Sequence, residues 1–318
     1  MNNILRTVGI DISKDWFDAF AAPEGRTARF SNNRAGFRQL IAWIGAGVDR
    51  IAYEPSGTVH RDLEETLLKA GLPLYAINPF QVRSFARSLG RRAKTDPVDA
   101  RMLATMAVSV EELWPTAARS EGQHDLAELQ QIRDGLRKDR VTAINRSKQL
   151  RTPVGKRLNK QRLGQIERQL DVIDAEIRKR LAEEKTLQRR AEILTSIPGI
   201  SDITAAGLVV LMPELGTLTG ARAASLAGLA PVTRESGQWK GRSFIQGGRH
   251  RVRRLLYMPA LVAAHHNPGL KGKYEALIAR GKPQKVALTT VMRKLLVLAN
   301  ALLQQDRTWT AHAPGTHA

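Results

Sequence analysis

The first 118 residues alternate between short apolar runs and segments whose apolar residues recur at helical spacing. Three apolar runs have the length and composition of buried strands: 6–13, 49–55 and 72–79. Between them, 36–47 carries apolar residues three and four positions apart, and 60–71 ends in a glycine that is typical of a helix stop. Such alternation predicts an α/β domain over residues 1–118.

Two further patterns belong to the same predicted domain. The segments 16–23 and 26–32 flank Glu24-Gly25 and predict a β-hairpin. The segment 96–109 is predicted to be helical and begins with Asp-Pro.

From 119 to 192 the chain becomes richly charged, and Leu and Ile recur at gaps of three and four residues. One stripe runs from Leu126 to Leu136, a second runs from Leu163 to Leu181, and Pro153 is expected to break the first helix. This pattern predicts a helical hairpin or coiled-coil linker. A solvated bundle arm and a dimerisation or strand-spacing element both remain open.

The remaining chain, 193–308, is predicted to be mostly helical. Within it, 194–212 is a helix, a Pro-Gly turn and a second helix, similar to a helix-hairpin-helix whose turn and helix N-terminus can meet a phosphate. A polar glycine-rich loop, 232–250, precedes the next helix. The tail, 309–318, is expected to be disordered.

The amino-acid composition restricts the classes of function that this chain can have. The formal net charge of +20 makes an anionic partner, nucleic acid first, the expectation. The absence of cysteine excludes disulfides, thiolate zinc sites and a cysteine nucleophile. No signal-peptide pattern opens the sequence, and the longest apolar run, taken as 255–264, is too short for a bilayer, so we expect a cytoplasmic protein without a membrane partner.

Four acidic residues lie at predicted strand or helix ends of the α/β domain: Asp11, Glu54, Asp96 and Asp99. Asp96 and Asp99 are three residues apart and share one helix face. Converging carboxylates are stabilised by a hard divalent cation such as Mg²⁺, and two such ions can hold the attacking and leaving oxygens at a phosphate. We therefore expect a two-Mg²⁺ site, with Mn²⁺ able to substitute.

Each acid taken singly also has a structural explanation. Asp96-Pro97 is a typical helix start, and Asp99 would then fall in the positive first turn. Asp11 could cap the segment that follows it, and Glu54 could be an ordinary charge at a strand end. The combination of all four in a basic chain favours a site.

Seven motifs occur in order between Gly9 and Leu261: "GIDISKDWFD", "YEPSGTVHRDL", "INPFQVRSFA", "KTDPVDARMLA", "SIPGI", "LAGLAPVTRESG" and "RRLLYMPAL". Together they resemble the insertion-sequence-110 family of bacterial transposases, also called DEDD transposases or bridge-RNA-guided recombinases, and the resemblance extends over residues 6–305. The resemblance implies an N-terminal ribonuclease-H-like domain of the Holliday-junction-resolvase type, with Asp11, Glu54, Asp96 and Asp99 as its catalytic, metal-binding acids. "PSGTVH" departs from relatives that carry threonine and tyrosine after the glutamate, but it leaves the ligand in place.

The resemblance also maps a nucleophilic serine onto Ser236. Taken locally, Ser-Gly in a polar loop indicates a turn, and no His-Asp partner of a hydrolase triad is evident. The family implies instead that Ser236, supplied by another subunit, attacks the scissile phosphate and forms a phosphoserine link to a DNA end.

Basic residues cluster near both predicted sites. A charge run is usually a solvated face, but their density around the serine favours phosphate contact. The predicted nucleic-acid-binding residues are Arg91, Arg92, Lys94, Arg234, Lys240, Arg242, Arg249, Arg251, Arg253 and Arg254.

The expected partners are double-stranded DNA of the element ends and target, a structured noncoding RNA, and further copies of this chain as a dimer or a tetramer. The resemblance implies that the RNA pairs with both DNAs, so that base pairing carries sequence recognition. Two other functions fit the acids and the charge: a junction-resolving nuclease that activates water, and a nucleic-acid-binding protein without chemistry.

Overall fold

A computed structural model describes most of the chain and divides it into two compact units, Met1–Ala118 and Arg119–Ala318. The described residues are 5–55, 59–89, 96–110, 113, 115–116, 120–233, 235–236, 239–241 and 243–311.

The N-terminal unit is built on a five-stranded mixed sheet with the order β3-β2-β1-β4-β5. β1, β2 and β3 are antiparallel, whereas β1, β4 and β5 are parallel. The elements are β1 (Thr7–Ile12), β2 (Trp16–Ala22), β3 (Arg26–Ser31), α1 (Arg34–Ile44), β4 (Arg50–Tyr53), α2 (Arg61–Lys69), β5 (Leu74–Ala76), α3 (Pro79–Ser88) and α4 (Asp96–Ser109). The predicted α/β class, the hairpin β2–β3 and the helix α4 are confirmed.

Helices cover the two faces of this sheet. Ile10 and Ile12 of β1 point to the face that also buries Phe37, Leu40 and Leu63 of α1 and α2. Alternate residues of the strands point to the opposite face, which α4 covers through Met102 and Ala104 among others. The alternation within β1 therefore sets which of its side chains lie on the α4 face.

Gly9 is the point where β1 and α4 approach most closely. A Cβ added at Gly9 would overlap the Ala100 carbonyl oxygen and would lie 2.5 Å from the Ala104 nitrogen. Both obstacles are backbone atoms, so no side-chain movement relieves the overlap. The helix can lie on this strand only because position 9 has no side chain.

We expect Gly9→Ala to lower the free energy of unfolding by about 2 kcal/mol or more, because the added methyl group must push α4 off β1. Gly135→Ala is the matched control, since a Cβ at this helical position meets open space. That variant should gain about 0.5–1 kcal/mol from its better helix propensity. Urea unfolding followed by circular dichroism measures both, and equal stabilities for Gly9→Ala and wild type would contradict the packing described here.

The C-terminal unit is mostly helical, as predicted. Its elements are α5 (Glu121–Ser147), α6 (Pro153–Glu183), α7 (Lys185–Thr195), α8 (Asp202–Leu211), α9 (Gly220–Leu226), β6 (Pro231–Val232), β7 (Glu235–Ser236), β8 (Trp239–Lys240), β9 (Phe244–Ile245), α10 (His250–His266), α11 (Pro268–Ala279) and α12 (Gln284–Gln304). The short strands form two antiparallel pairs, β6–β9 and β7–β8.

The two long helices α5 and α6 run antiparallel. Arg133 pairs with Asp174, and further along α5 the Asn159 amide of α6 donates to the Ala143 carbonyl at 2.9 Å. Pro153 does not break the first helix, which already ends at Ser147. It occupies the first turn of α6, where a missing N–H is tolerated, and Thr152 caps that turn.

The Pro-Gly turn between α7 and α8 packs into the unit. Gly199 has φ +109°, and a Cβ there would lie 2.6 Å from the Pro259 carbonyl oxygen of α10. The Ile200 amide donates to the Ile197 carbonyl at 3.0 Å. Because Gly199 faces α10 and the Ile200 amide is already bonded, these two turn residues do not offer the open turn expected for a phosphate contact, and the N-terminus of α8 is the part of the predicted motif that stays a candidate.

Two expectations about the C-terminal region need correction. α12, not 255–264, is the most apolar long segment, with a mean hydropathy of 1.6 over a window long enough to cross a membrane. Nine of its residues are buried in the core of the unit, so it does not indicate a membrane span. Trp309 falls in the segment 309–318 that the sequence predicts to be disordered, but its amide donates to Ser196 Oγ at 2.8 Å and its ring packs on the core.

Candidate active site

The parallel pairing of β1 with β4 aligns two of the predicted acids. Gly9 is opposite Ala52 and Ile10 is opposite Tyr53, so the next position places Asp11 beside Glu54, which directly follows β4. Neighbouring strands are about 4.8 Å apart. Asp11 lies on the same face of the sheet as Gly9, and Glu54 lies on the same face as Ala52. Gly9 and Ala52 both pack against α4, so this is the face that α4 covers.

The direction of α4 brings the other two acids to the same edge. Thr7 Oγ1 donates to the Ala104 carbonyl at 3.1 Å, and Gly9 lies against Ala100. Two strand residues and four helix residues both advance about 6 Å, so Asp11 is level with the first turn of α4. That turn begins at Asp96 and contains Asp99. The backbone thus places all four acids at one edge of the sheet.

The side chains of Asp11, Glu54 and Asp99 are each partly exposed, and the Asp96 side chain lies outside the described residues. Among the described side chains, no three Asp, Glu or His groups are already arranged around a metal position. The residues nevertheless fit a divalent cation by donor chemistry and backbone position, since hard cations take carboxylate oxygens.

A fifth carboxylate stands beside Asp11 on the same face. Asp18 of β2 is directly opposite Asp11 and is itself opposite Arg29 of β3. The Arg29 guanidinium donates to both Asp18 oxygens at 2.8 Å and lies 5.3 Å from the ring centroid of the half-exposed Trp16. Because Arg29 balances its charge, Asp18 adds little to the repulsion among the four acids.

Ser236 lies in the C-terminal unit at the end of β7, where it pairs with Trp239 of β8. Its side chain is exposed. An exposed hydroxyl at the tip of a two-stranded ribbon can be approached by a phosphate, which a buried serine could not be.

The predicted basic residues fall into three groups. Arg249 donates to both Glu214 oxygens at 2.9 and 2.7 Å, and Arg253 donates to the carbonyls of Gly228 and Gly247, so both are tied to contacts within the unit. Arg251 and Arg254 reach Asp134 of α5. The others lie outside the described residues, or have side chains that do: Arg91, Arg92, Lys94, Arg234, Lys240 and Arg242.

The sequence-based predictions missed the Asp18–Arg29 pair and the contacts of Asp134 with Arg251 and Arg254. Asp18 could have been noticed as an acid inside the predicted strand 16–23, where burial of a charge requires a partner. Nothing in the sequence signals Asp134, because its partner Arg251 is 117 residues away.

Comparison with known proteins supports a single family. A DEDD transposase model of the IS110 type matches residues 8–152, and the transposase model of the IS116/IS110/IS902 family matches residues 191–275. The chain is 28% identical over 312 residues to the pilin gene-inverting protein of Moraxella bovis, covering 94% of this chain and 96% of that protein. It is 33% identical over 125 residues to the insertion element IS110 43.6 kDa protein of Streptomyces coelicolor, covering 38% of this chain and 31% of that protein.

The two matched regions contain the candidate residues. The first spans the sheet, α4 and the four acids, and the second spans Ser236 and α10. With a transposase model matched in each part and a relative aligned along almost the whole length, the chain belongs to the IS110/IS116/IS902 family of transposases.

Proposed function

We propose that this transposase cleaves and rejoins DNA at a divalent-metal site held by Asp11, Glu54, Asp96 and Asp99, with Ser236 as the nucleophile. The observation that carries the proposal is the alignment of Asp11, Glu54 and the first turn of α4 at one edge of the sheet. A sheet of this strand order with acids at that edge is compatible with a ribonuclease-H-like domain of the Holliday-junction-resolvase type.

The four carboxylates would hold two Mg²⁺ ions, or Mn²⁺ in their place. When bound, such ions withdraw charge from a phosphate and make its phosphorus more electrophilic. The carboxylates fix where the scissile phosphate sits, and the Asp18–Arg29 pair keeps a neighbouring acid from adding unbalanced charge there.

Ser236 would form the new bond in the cleavage step. Its Oγ bonds to phosphorus, the bond from phosphorus to one bridging deoxyribose oxygen breaks, and the serine proton is given up as that oxygen becomes a hydroxyl. A hydroxyl of the exchanged strand then attacks the phosphoserine, which restores a phosphodiester and the free serine. Since one phosphoester replaces another at each step, no nucleotide cofactor is required.

Exchange between two DNA sites requires more than one nucleophile, so we propose that the enzyme acts as a dimer or tetramer. We also propose that it acts in the cytoplasm. A relative over nearly the full length is named for inverting a pilin gene, and inversion also joins two sites within DNA. The net charge of +20 suits a large nucleic-acid assembly, and a structured RNA paired with both DNAs would supply sequence recognition.

The proposal is tested by reconstituting strand exchange. Purified protein is mixed with duplexes of the element end and the insertion site, with and without RNA transcribed from the DNA that flanks the gene. We expect joined product only when Mg²⁺ and the RNA are both present, and none in EDTA. Full product in EDTA would contradict the metal site, and equal product without RNA would contradict the guide.

A further inference from the structure

We propose that a cavity of the C-terminal unit binds the phosphodiester backbone of a nucleic acid, and that Asp134 occupies the phosphate position when no ligand is bound. The cavity has a volume of about 900 Å³ and lies between α5, α6, α8 and α10. Arg251 and Arg254 are the proposed phosphate contacts. The inference rests on the proposed function for its class of partner, and its test is independent of catalysis.

Two guanidinium groups share one carboxylate in this cavity. Arg251 Nη2 and Arg254 Nη2 both lie 3.2 Å from the same oxygen, Asp134 Oδ2. Arg251 and Arg254 are three residues apart, so they point from one face of α10. Both guanidinium groups share one carboxylate oxygen here, whereas a phosphodiester can give each of them one of its two non-bridging oxygens.

The other charges of the cavity leave it positive. Six cations and four acids line it. Arg133 is paired with Asp174, and Arg140 with Glu167. Arg137 and Lys138 are exposed one turn beyond Asp134, and within the described part of the chain neither has an ion pair. A carboxylate among surplus cations is easily replaced by a stronger anionic ligand.

The side chains at the start of α8 add hydrogen-bonding groups to the same wall. Ser201, which caps α8, and Thr204 both line the cavity. A strand held by Arg251 and Arg254 would therefore pass a helix N-terminus, where backbone amides favour negative charge.

The competing explanation is that Asp134 simply ties α10 to the helical hairpin. The two explanations predict different changes in nucleic-acid affinity when Asp134 loses its charge. If Asp134 stands in for phosphate, removing its charge frees two cations and takes a repulsive carboxylate away from the ligand, so affinity rises. If it is only a tie, its removal loosens α10 and leaves affinity unchanged or lower.

The test measures binding of full-length protein to a fluorescent DNA duplex and to a fluorescent RNA hairpin, in EDTA so that no strand is cut. We expect Asp134→Asn to lower the Kd about five- to tenfold at moderate salt for at least one of the two nucleic acids. The nucleic acid whose Kd falls, DNA or RNA, is the one that supplies the phosphate.

The matched control is Asp139→Asn. Asp139 is also on α5 and its substitution removes the same charge, but it does not line this cavity. We expect it to change the Kd by less than about twofold. An equal gain in both variants would show a general charge effect and would overturn the inference.

A second variant tests the same inference in case Asp134→Asn lowers the thermal stability of the protein too far for its binding to be measured. Arg251→Gln combined with Arg254→Gln should weaken binding at least about tenfold and reduce the slope of log Kd against log salt by about one to two, as lost phosphate contacts require. Unchanged affinity in both the Asp134 variant and the arginine double variant would overturn the inference, whereas the metal site and Ser236 would be untouched by that result.

Discussion

Asp11→Asn should reduce strand transfer by about three orders of magnitude or more while leaving DNA binding intact. Position 11 is aligned with Glu54 and level with the first turn of α4, so the backbone places Asp11 next to both the strand-end acid and the helix that carries the other two. An amide keeps the shape of the side chain but loses the charge that binds a divalent cation. Such a cation contributes several kcal/mol to the transition state, and each 1.4 kcal/mol, roughly, is a factor of ten in rate.

Product formation on a denaturing gel, at saturating Mg²⁺, measures this loss, and duplex binding in EDTA confirms that the variant still recognises DNA. Asp15→Asn is the matched control, because Asp15 is an exposed acid in the turn between β1 and β2. Its activity should stay within about twofold of wild type. If Asp11→Asn kept more than a tenth of the wild-type rate, Asp11 would not be a metal ligand and the four acids would be better explained as strand-end and capping residues.

The acids could be selected from the sequence, but their alignment could not. Each follows a strand or begins a helix, and those elements are predictable because buried strands and capped helices leave clear patterns. The register that sets Ile10 beside Tyr53 depends on hydrogen bonds between strands about forty residues apart, which no local pattern encodes. Gly9 explains the approach of α4 only when the helix is seen to cross β1 at that point.

The elements that the sequence does not reveal were hidden for two physical reasons. α3 and α11 both begin at the proline of an Asn-Pro pair, Asn78-Pro79 and Asn267-Pro268, and each asparagine caps its helix. The Asn-Pro pair indicates a turn as readily as a helix start, so the signal is ambiguous. The strands β6–β9 have only two residues each, which is too short for any periodicity to appear.

The arginines show why charge density alone does not locate a nucleic-acid surface. Arg249 and Arg254 are equally basic in the sequence, yet Arg249 is held by Glu214 and by the Leu211 carbonyl, whereas Arg254 shares Asp134 at the edge of a cavity. The difference arises from acids far away in the chain, so it becomes visible only in the folded unit.

Ser236→Ala should abolish both the covalent protein–DNA adduct and the joined product. The exposed position of Ser236 in the β7–β8 ribbon allows its hydroxyl to reach a phosphate, and alanine removes only that oxygen. Loss of a covalent nucleophile lowers the rate by about three orders of magnitude or more, because the remaining groups can only assist attack by water. The adduct is measured by denaturing electrophoresis of labelled DNA, and its site is mapped by mass spectrometry after nuclease digestion.

Ser243→Ala is the matched control, since Ser243 is an exposed serine in the same region, just before β9. It should form the adduct at the wild-type rate. Asp11→Asn should form no adduct although its serine is intact, because the proposed reaction needs the carboxylate site and the hydroxyl at the same phosphate. If Ser236→Ala instead cleaves DNA as fast as wild type, the acids activate water and the enzyme breaks strands as a nuclease does. An adduct mapped to another residue would keep the covalent mechanism but reassign its nucleophile.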